Sequence, residues 1–351
     1  MYRVALIGCG SISAVHAQVL NELENTELVA CADCLADRAK DTASQWHCNA
    51  YQDWREMLDA ERPDAVHLCT PHYLHPLMAQ EAAARDIAVL TEKPPAIDRE
   101  GWEQVKRAAA RVPVGICFQN RYHPHVKACH GFLREDTFGA LRGLRAFVTW
   151  NRTAEYYAAA DWKGKWATEG GGALINQAIH TLDLIVGFLG MPDVAEGDMQ
   201  THRLRDCVEV EDTVEIYLRK GDVPALLYAS NAYSQDAPVL LELHFEKAVV
   251  RLEGDVMTVI QDGKKREIPC RNDPVIGRSY WGAGHRACIA DFYNCLESGS
   301  PYPNAPQSCE ATMQTLFSLY GYGGKWQNHR TAAKATMAGE QIVKSDPCPS
   351  H

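Results

Sequence analysis

The sequence predicts an α/β protein in two parts, a parallel sheet wound on both faces by helices and then a half built on a mostly antiparallel sheet. Three observations carry that expectation. Through residues 1–120, short apolar runs alternate with amphipathic segments rich in Ala, Glu and Arg, the pattern of βαβ units. After Asn120, Trp, Tyr and Gly become frequent, and strand-like runs follow one another across polar turns, as antiparallel neighbours do. The length of 351 residues corresponds to about two domains at roughly 150 residues each.

Taken in order, runs 4–7, 28–32, 65–69, 88–90 and 114–118 are short and apolar throughout, so each reads as a strand buried on both faces. In the second half, runs 144–149, 213–218, 225–230, 240–245 and 248–252 read as strands. Glu253-Gly254-Asp255 and Asp262-Gly263 have the residues of tight hairpin turns. A long helix is expected over 173–189, stopped by Gly190 and Pro192, and another over 285–296. The domains are placed at 1–120 and 121–335, with a polar, unpatterned tail at 336–351.

Composition removes several partners. Hydrophobic residues make up 46% and charged residues 23%, enough for a sizeable core. Thirty-five Lys and Arg against 45 Asp and Glu leave a net charge of −10 with no basic run, the reverse of a nucleic-acid or anionic-membrane binder. The first strand begins almost at Met1, which leaves no room for a secretory signal, and no apolar stretch approaches the roughly 18 residues that span a bilayer. A cytoplasmic protein is expected. The 13 cysteines, scattered from Cys9 to Cys348, read as small buried hydrophobes in a reducing compartment. Cys31 and Cys34 form a single C-x-x-C without a second pair, and His123 and His125 lack a ligand partner at metal spacing, so no metal is expected.

Gly8-Cys9-Gly10-Ser11-Ile12-Ser13 follows the first strand and opens a helix. There Gly8 permits a tight turn, and Gly10 lets the backbone approach a pyrophosphate seated at the helix N-terminus. Ser13 stands where a third glycine is usual. Asp33 ends the second strand, where a carboxylate accepts the adenosine ribose hydroxyls and repels a 2′-phosphate. NAD is therefore expected over NADP, with nearby Arg38 as the feature that opposes this preference. Asp33 also admits a plainer reading, as a cap for the segment at Asp37-Arg38.

Three further segments fall where strands four, five and six end: Cys69-Thr70-Pro71-His72-Tyr73-Leu74-His75, Thr91-Glu92-Lys93-Pro94 and Cys117-Phe118-Gln119-Asn120-Arg121. A fourth is Gly170-Gly171-Gly172 continuing through Asn176-Gln177-Ala178-Ile179-His180 to Asp183. Together they resemble the Gfo/Idh/MocA oxidoreductases, over about residues 1 to 330. The resemblance implies a Rossmann domain, a C-terminal α/β domain with an open sheet that assembles homo-oligomers, and NAD(P)-dependent redox chemistry on sugars or cyclitols. Lys93 matches the lysine of the family's Glu-Lys-Pro, and His180 the histidine of its Asp-x-Gly-x-His-x-x-Asp segment. Here Asn176 replaces the aspartate and Ala178 the glycine. The run from Trp150-Asn151-Arg152 through Trp162 to Trp166, with Asn176-Gln177, looks most like the branch of nucleotide-sugar 2-acetamido-glucuronate dehydrogenases and glycoside 3-dehydrogenases. That implies oxidation of a pyranose hydroxyl, often at C3.

The cofactor set expected on this basis is Gly8, Gly10, Ser11, Ile12, Asp33 and Arg38, with Thr70, His75, Glu92, Lys93, Asn120 and Trp162 from later strand ends. Alcohol oxidation needs a base for the hydroxyl proton while hydride leaves the same carbon. His180 suits that role, and Lys93 can stabilise the alkoxide. Helical spacing puts Asn176, His180 and Asp183 on one face. Asn176 is expected to bond substrate or orient Lys93, and Asp183 alternatively to pair a basic neighbour. Arg121, Tyr122, Arg152, Trp166, Gln177, Tyr280 and His285 complete the expected substrate set with Lys93, Asn176 and His180. The cations there, with Lys163 and Lys165, suit an anionic sugar or are surface charges. The cluster Tyr122, Trp150, Tyr156, Tyr157, Trp162, Trp166, Tyr280 and Trp281 suits a neutral glycoside or is core. Two alternatives stand beside a dehydrogenase: an NAD-retaining glycosidase or sugar–sugar oxidoreductase, and a sugar sensor without catalysis.

Overall fold

A computed structural model describes residues 1–269, 275–276 and 283–321. The tail at 336–351 and Tyr280 and Trp281 lie outside the described residues.

The apolar runs of the first half form a six-stranded, wholly parallel sheet: β1 (Tyr2–Ile7), β2 (Thr26–Ala32), β3 (Asn49–Tyr51), β4 (Ala65–Leu68), β5 (Ala88–Thr91) and β6 (Val114–Ile116), in the order β3-β2-β1-β4-β5-β6. Helices α1 (Ser13–Glu22), α2 (Ala36–Trp46), α3 (Trp54–Glu61), α4 (His75–Ala84) and α5 (Arg99–Ala109) connect them. The order reverses between β1 and β4, and the crevice at the carboxyl ends of those strands is where such sheets take a ligand. Strand β3, three residues and mostly exposed, carries no apolar run and is not visible in the sequence.

Past α6 (Pro124–Arg134), an eight-stranded sheet runs β14-β13-β12-β11-β7-β10-β9-β8. Its strands are β7 (Leu141–Thr149), β8 (Val194–Gln200), β9 (Thr213–Lys220), β10 (Val223–Ser230), β11 (Leu240–Phe245), β12 (Val249–Glu253), β13 (Val256–Gln261) and β14 (Lys264–Pro269). All neighbours are antiparallel except β7 and β10. Both expected hairpins form. Glu253 pairs Val256 across Gly254-Asp255, and Gln261 pairs Lys264 across Asp262-Gly263, whose φ of 50° and 72° are those of a two-residue hairpin turn. The edge strands β8 and β14 escape sequence reading because half-exposed, polar residues fill them.

The helix expected over 173–189 is interrupted. Ala173–Ala178 is a wide π-type turn, and α8 begins only at Ile179 and ends at Leu189, where Gly190 has φ 82°. The cause lies downstream in the chain. The buried Glu211 carboxylate accepts from Gly172 N at 2.9 Å and Leu174 N at 3.0 Å, pinning the first turn to the segment that leads into β9. A side chain at Gly172 would collide with the Glu211 carbonyl oxygen. After the short α7 (Ala154–Ala158) and α8, the chain closes with α9 (His285–Ser298) and α10 (Pro306–Leu319). α9 returns to the parallel sheet: Cys288, Ile289, Phe292 and Tyr293 share one apolar cluster with Leu6, Leu20 and Leu90.

Candidate active site

The nucleotide end of the crevice is shaped by backbone. Gly8 has φ 91°, and a Cβ there would lie 2.7 Å from the Cys69 carbonyl oxygen, so β1 and β4 approach only through glycine. Gly10 faces open space within 4 Å, and no side chain caps α1. An uncapped helix start behind an open glycine fits a pyrophosphate. Asp33 accepts from Cys9 N and from Leu35 N, each at 2.9 Å, so one carboxylate braces the glycine turn and the entry to α2 together. Ser11 and Arg38 are exposed, and Ile12 is half-buried. His75 sits with one ring nitrogen 2.8 Å from the Pro94 oxygen and the other 2.8 Å from the Thr70 oxygen, tying two strand-end loops. The Thr70 hydroxyl meets Met78 Sδ at 3.4 Å. Asn120 lies half-buried in the turn after β6, and the Trp162 ring lies 4.7 Å from that of His72, tilted by 57°.

At the other end of the crevice Lys93, Asn176 and His180 come together. Lys93 Nζ donates to Asn176 O at 2.8 Å and to its Oδ1 at 3.4 Å. Burial depresses the Lys93 pKa, with Glu92 and Glu169 pulling it back. His180 Nε2 is 3.3 Å from Gln119 Nε2, while its buried Nδ1 has no hydrogen-bond partner among the described residues. Burial, then the Lys93 charge, pushes His180 well below the ordinary imidazole value. The ring is thus neutral near pH 7 and able to accept a proton.

Six expected substrate residues meet other protein groups. Arg121 makes a two-point ion pair with Asp183, Nε to Oδ2 at 2.7 Å and Nη2 to Oδ1 at 2.5 Å, and Thr312 Oγ1 donates to the same carboxylate at 2.7 Å. Asp183, 1% exposed, is engaged by Arg121 and Thr312, the pairing with a basic neighbour that was the alternative reading of this residue. Arg152 is buried against Asp236 at 3.0 Å, over the Trp150 and Tyr156 rings. Tyr122 donates to Asp291 at 2.7 Å. Gln177 Nε2 meets Tyr156 OH at 3.3 Å, and its Oε1 accepts from Asn231 at 3.0 Å; Trp166 Nε1 donates to the Glu209 oxygen at 2.7 Å. His285 is buried with Nε2 4.0 Å from Glu92 Oε1.

Two groups escaped the sequence. Glu92 Oε1 bonds His16 Nε2 at 2.9 Å, His16 Nδ1 meets His67 Nδ1 at 2.9 Å, and His67 Nε2 meets Tyr293 OH at 2.8 Å. Burial opposes the Glu92 charge, yet His16, His285 and Lys93 hold its pKa below the usual carboxylate range. The Cys117 thiol joins this group: donor atoms of His16, Glu92 and Cys117 lie within 4.8 Å of one another. The other is Glu169, fully buried, which accepts from Asn176 Nδ2 at 2.5 Å and from Gly164 N. Glu92 and Cys117 lie in segments singled out above, but their partners His16, His67 and Tyr293, and the placing of Glu169 behind Asn176, come from segments distant in the chain. Of the C-x-x-C cysteines, Cys31 is buried and Cys34 exposed, and no described helix is long and apolar enough to cross a membrane.

A doubly wound parallel sheet with an open glycine turn, Lys93 just past the end of its strand β5, and His180 brought beside it on α8 of the second half make up the site. The chain belongs to the Gfo/Idh/MocA family: its NAD-binding Rossmann fold matches residues 2–118 and its C-terminal domain residues 126–251. Among curated proteins, D-glucoside 3-dehydrogenase of Escherichia coli (strain K12) is 32% identical over 200 residues, 55% of either chain. D-apiose dehydrogenase of Paraburkholderia graminis is 25% identical over 264 residues, 72% of this chain and 68% of that one. The chain spans about half the length of the first curated relatives it matches. Among solved structures, the WlbA dehydrogenase of Bordetella pertussis in complex with NADH and UDP-GlcNAcA superposes with a TM-score of 0.79 at 26% identity, covering 91% of this chain and 95% of that one.

Proposed function

We propose that this chain is an NAD-dependent sugar dehydrogenase that oxidises a ring hydroxyl of a pyranoside, at C3, to a keto-sugar. The observation that carries the reading is the convergence of Lys93 and His180 on one half-buried site, with Asn176 between the lysine and Glu169. His180, neutral and with an unsatisfied buried Nδ1, takes the hydroxyl proton. Lys93, held by two oxygens of Asn176, stabilises the negative charge that develops on the substrate oxygen. When bound, NAD supplies the acceptor for the hydride that leaves the carbinol carbon. Gly8, Gly10 and the start of α1 would hold its pyrophosphate, and Asp33 its adenosine ribose, disfavouring NADP. The names of the glucoside 3-dehydrogenase and of WlbA support a sugar substrate and, for the former, position 3.

The test is a panel of glycosides, free sugars, cyclitols and nucleotide sugars, with the ketone position read by NMR. Lys93→Met and His180→Ala variants, folded and cofactor-bound, are expected to lose on the order of 10²-fold or more in kcat. Wild-type turnover by either variant overturns its assigned role. A keto-sugar with an intact glycosidic bond and stoichiometric NADH is the expected product; release of aglycone without NADH favours the glycosidase cycle instead. A cytoplasmic location is part of this proposal, supported by 13 cysteines scattered singly along the chain; a periplasmic fraction holding the protein contradicts it.

A further inference from the structure

Lys93 is a half-buried cation whose two hydrogen-bond acceptors among the described residues, Asn176 O and Oδ1, are neutral. Such a charge needs an anion nearby, because burial otherwise drives it to deprotonate. The Asn176 side chain points the way to one. Its Oδ1 faces the ammonium, and its Nδ2 donates to Glu169 Oε1 at 2.5 Å, so the amide lies as an aligned dipole between a cation and an anion. Each end dictates the same orientation: a flipped amide would set NH₂ against Lys93 and oxygen against the carboxylate. Glu169 is itself held. It is 0% exposed, its other oxygen accepts from Gly164 N, and its backbone oxygen meets His72 Nδ1 at 2.9 Å.

Resting on the reading of Lys93 as the group that meets the substrate oxygen, we propose that Glu169 is a positioning residue: its carboxylate fixes the Asn176 amide and thereby sets the place and charge of Lys93. Glu169 touches neither substrate nor cofactor in this role. The groups facing it are Asn176 and the Gly164 amide, Lys93 and Lys163 as cations, Glu211 as a second anion, and the Tyr157 and Tyr320 hydroxyls. Burial, helped by Glu211, pushes its pKa up to about 7 against the bonds from Gly164 and Asn176. Protonation of Glu169 near neutral pH therefore removes the anion that orients the bridge. His180 titrates well below its ordinary value, so a limb near pH 7 belongs to Glu169 and not to the base.

The test is the pH dependence of kcat for wild type, Glu169→Gln, and Glu169→Gln combined with Asn176→Asp, which returns a carboxylate one link closer to Lys93. In wild type, kcat falls as the pH drops through about 7. In Glu169→Gln that limb disappears, and kcat at pH 8 drops on the order of tenfold to a hundredfold, the scale of a misplaced catalytic group. The added aspartate recovers most of the loss. A uniform loss across pH with the limb retained, or no recovery in the double variant, overturns the proposal, since a merely structural role leaves the limb where it is. If Lys93→Met is as active as wild type, the assignment of Lys93 has failed and not the bridge. Should Glu169→Gln not fold, wild type alone suffices: ¹³C-methylated Lys93, assigned by its loss in Lys93→Met, should show an NMR shift with an inflection near pH 7. A signal that follows only the lysine's own titration overturns the proposal.

Discussion

Replacing Asp183 by alanine should unfold this protein more readily, and the size of the effect separates two roles for Arg121. The Arg121 side chain is 20% exposed and that of Asp183 1%, and the pair is joined at two points while Thr312 adds a third bond to the same carboxylate. Without Asp183 the guanidinium keeps, among the described residues, neutral acceptors: Asn304 Oδ1 at 3.5 Å, Ser308 Oγ at 3.2 Å and Ser308 O at 3.3 Å, and it stays largely buried. Stripping one partner from a buried pair costs about 3–5 kcal/mol, and the residual exposure of Arg121 argues for the lower end, about 3 kcal/mol. The pair also links the turn after β6 to α8 and α10, so the loss is felt in both halves. Urea unfolding followed by tryptophan fluorescence, in a cycle of Asp183→Ala, Arg121→Met and the double variant, measures it. The double variant should be less destabilised than the sum of the singles by about 1.5 kcal/mol or more. A loss under about 1 kcal/mol for Asp183→Ala, or strict additivity, refutes the structural role. It would return Arg121 to the substrate.

Other outcomes follow from the same geometry. Stability should fall between pH 6.5 and 5, because burial lowers His125 and His285 to about 4, so the unfolded chain binds protons there that the folded chain does not. Each contributes roughly 2 kcal/mol of loss at pH 5. Glu169, raised to about 7, works in the opposite sense, its cost vanishing as pH falls, and offsets about one histidine; a midpoint of unfolding that is flat over this range refutes the buried neutral state of these rings. Asp33→Ser should raise the ratio of NADP to NAD activity by about tenfold or more, by removing the carboxylate that repels a 2′-phosphate; an unchanged ratio places the discrimination elsewhere. Phe147 and Leu226 are 42% and 54% exposed on neighbouring strands β7 and β10, and we propose that this open sheet face is where copies of the chain would meet. Leu226→Arg should shift light-scattering mass toward the monomer, and a wild type that is already monomeric sinks that reading.

The parallel half was legible because strands buried on both faces must be apolar throughout, and the glycine turn, Asp33 and Lys93 sit at their ends by local spacing alone. The hairpins at Gly254-Asp255 and Asp262-Gly263 were legible because positive φ demands particular residues. Edge strands β8 and β14 were not, since an exposed edge imposes no hydrophobic pattern.

By itself, then, the sequence determined the two-part α/β class, the inner strands of both sheets, the glycine turn and the segments that carry Lys93 and His180, all features written in periodicity or short spacing. Tertiary structure alone decided how the charges are shared. It gave Arg121 to Asp183, 62 residues away, and placed His16 beside Glu92, 76 residues away. It also replaced the start of a regular helix with a wide turn pinned by Glu211, and set Glu169 behind Asn176. A buried charge takes whichever partner packing brings within about 3 Å, and separation along the chain carries no trace of that choice.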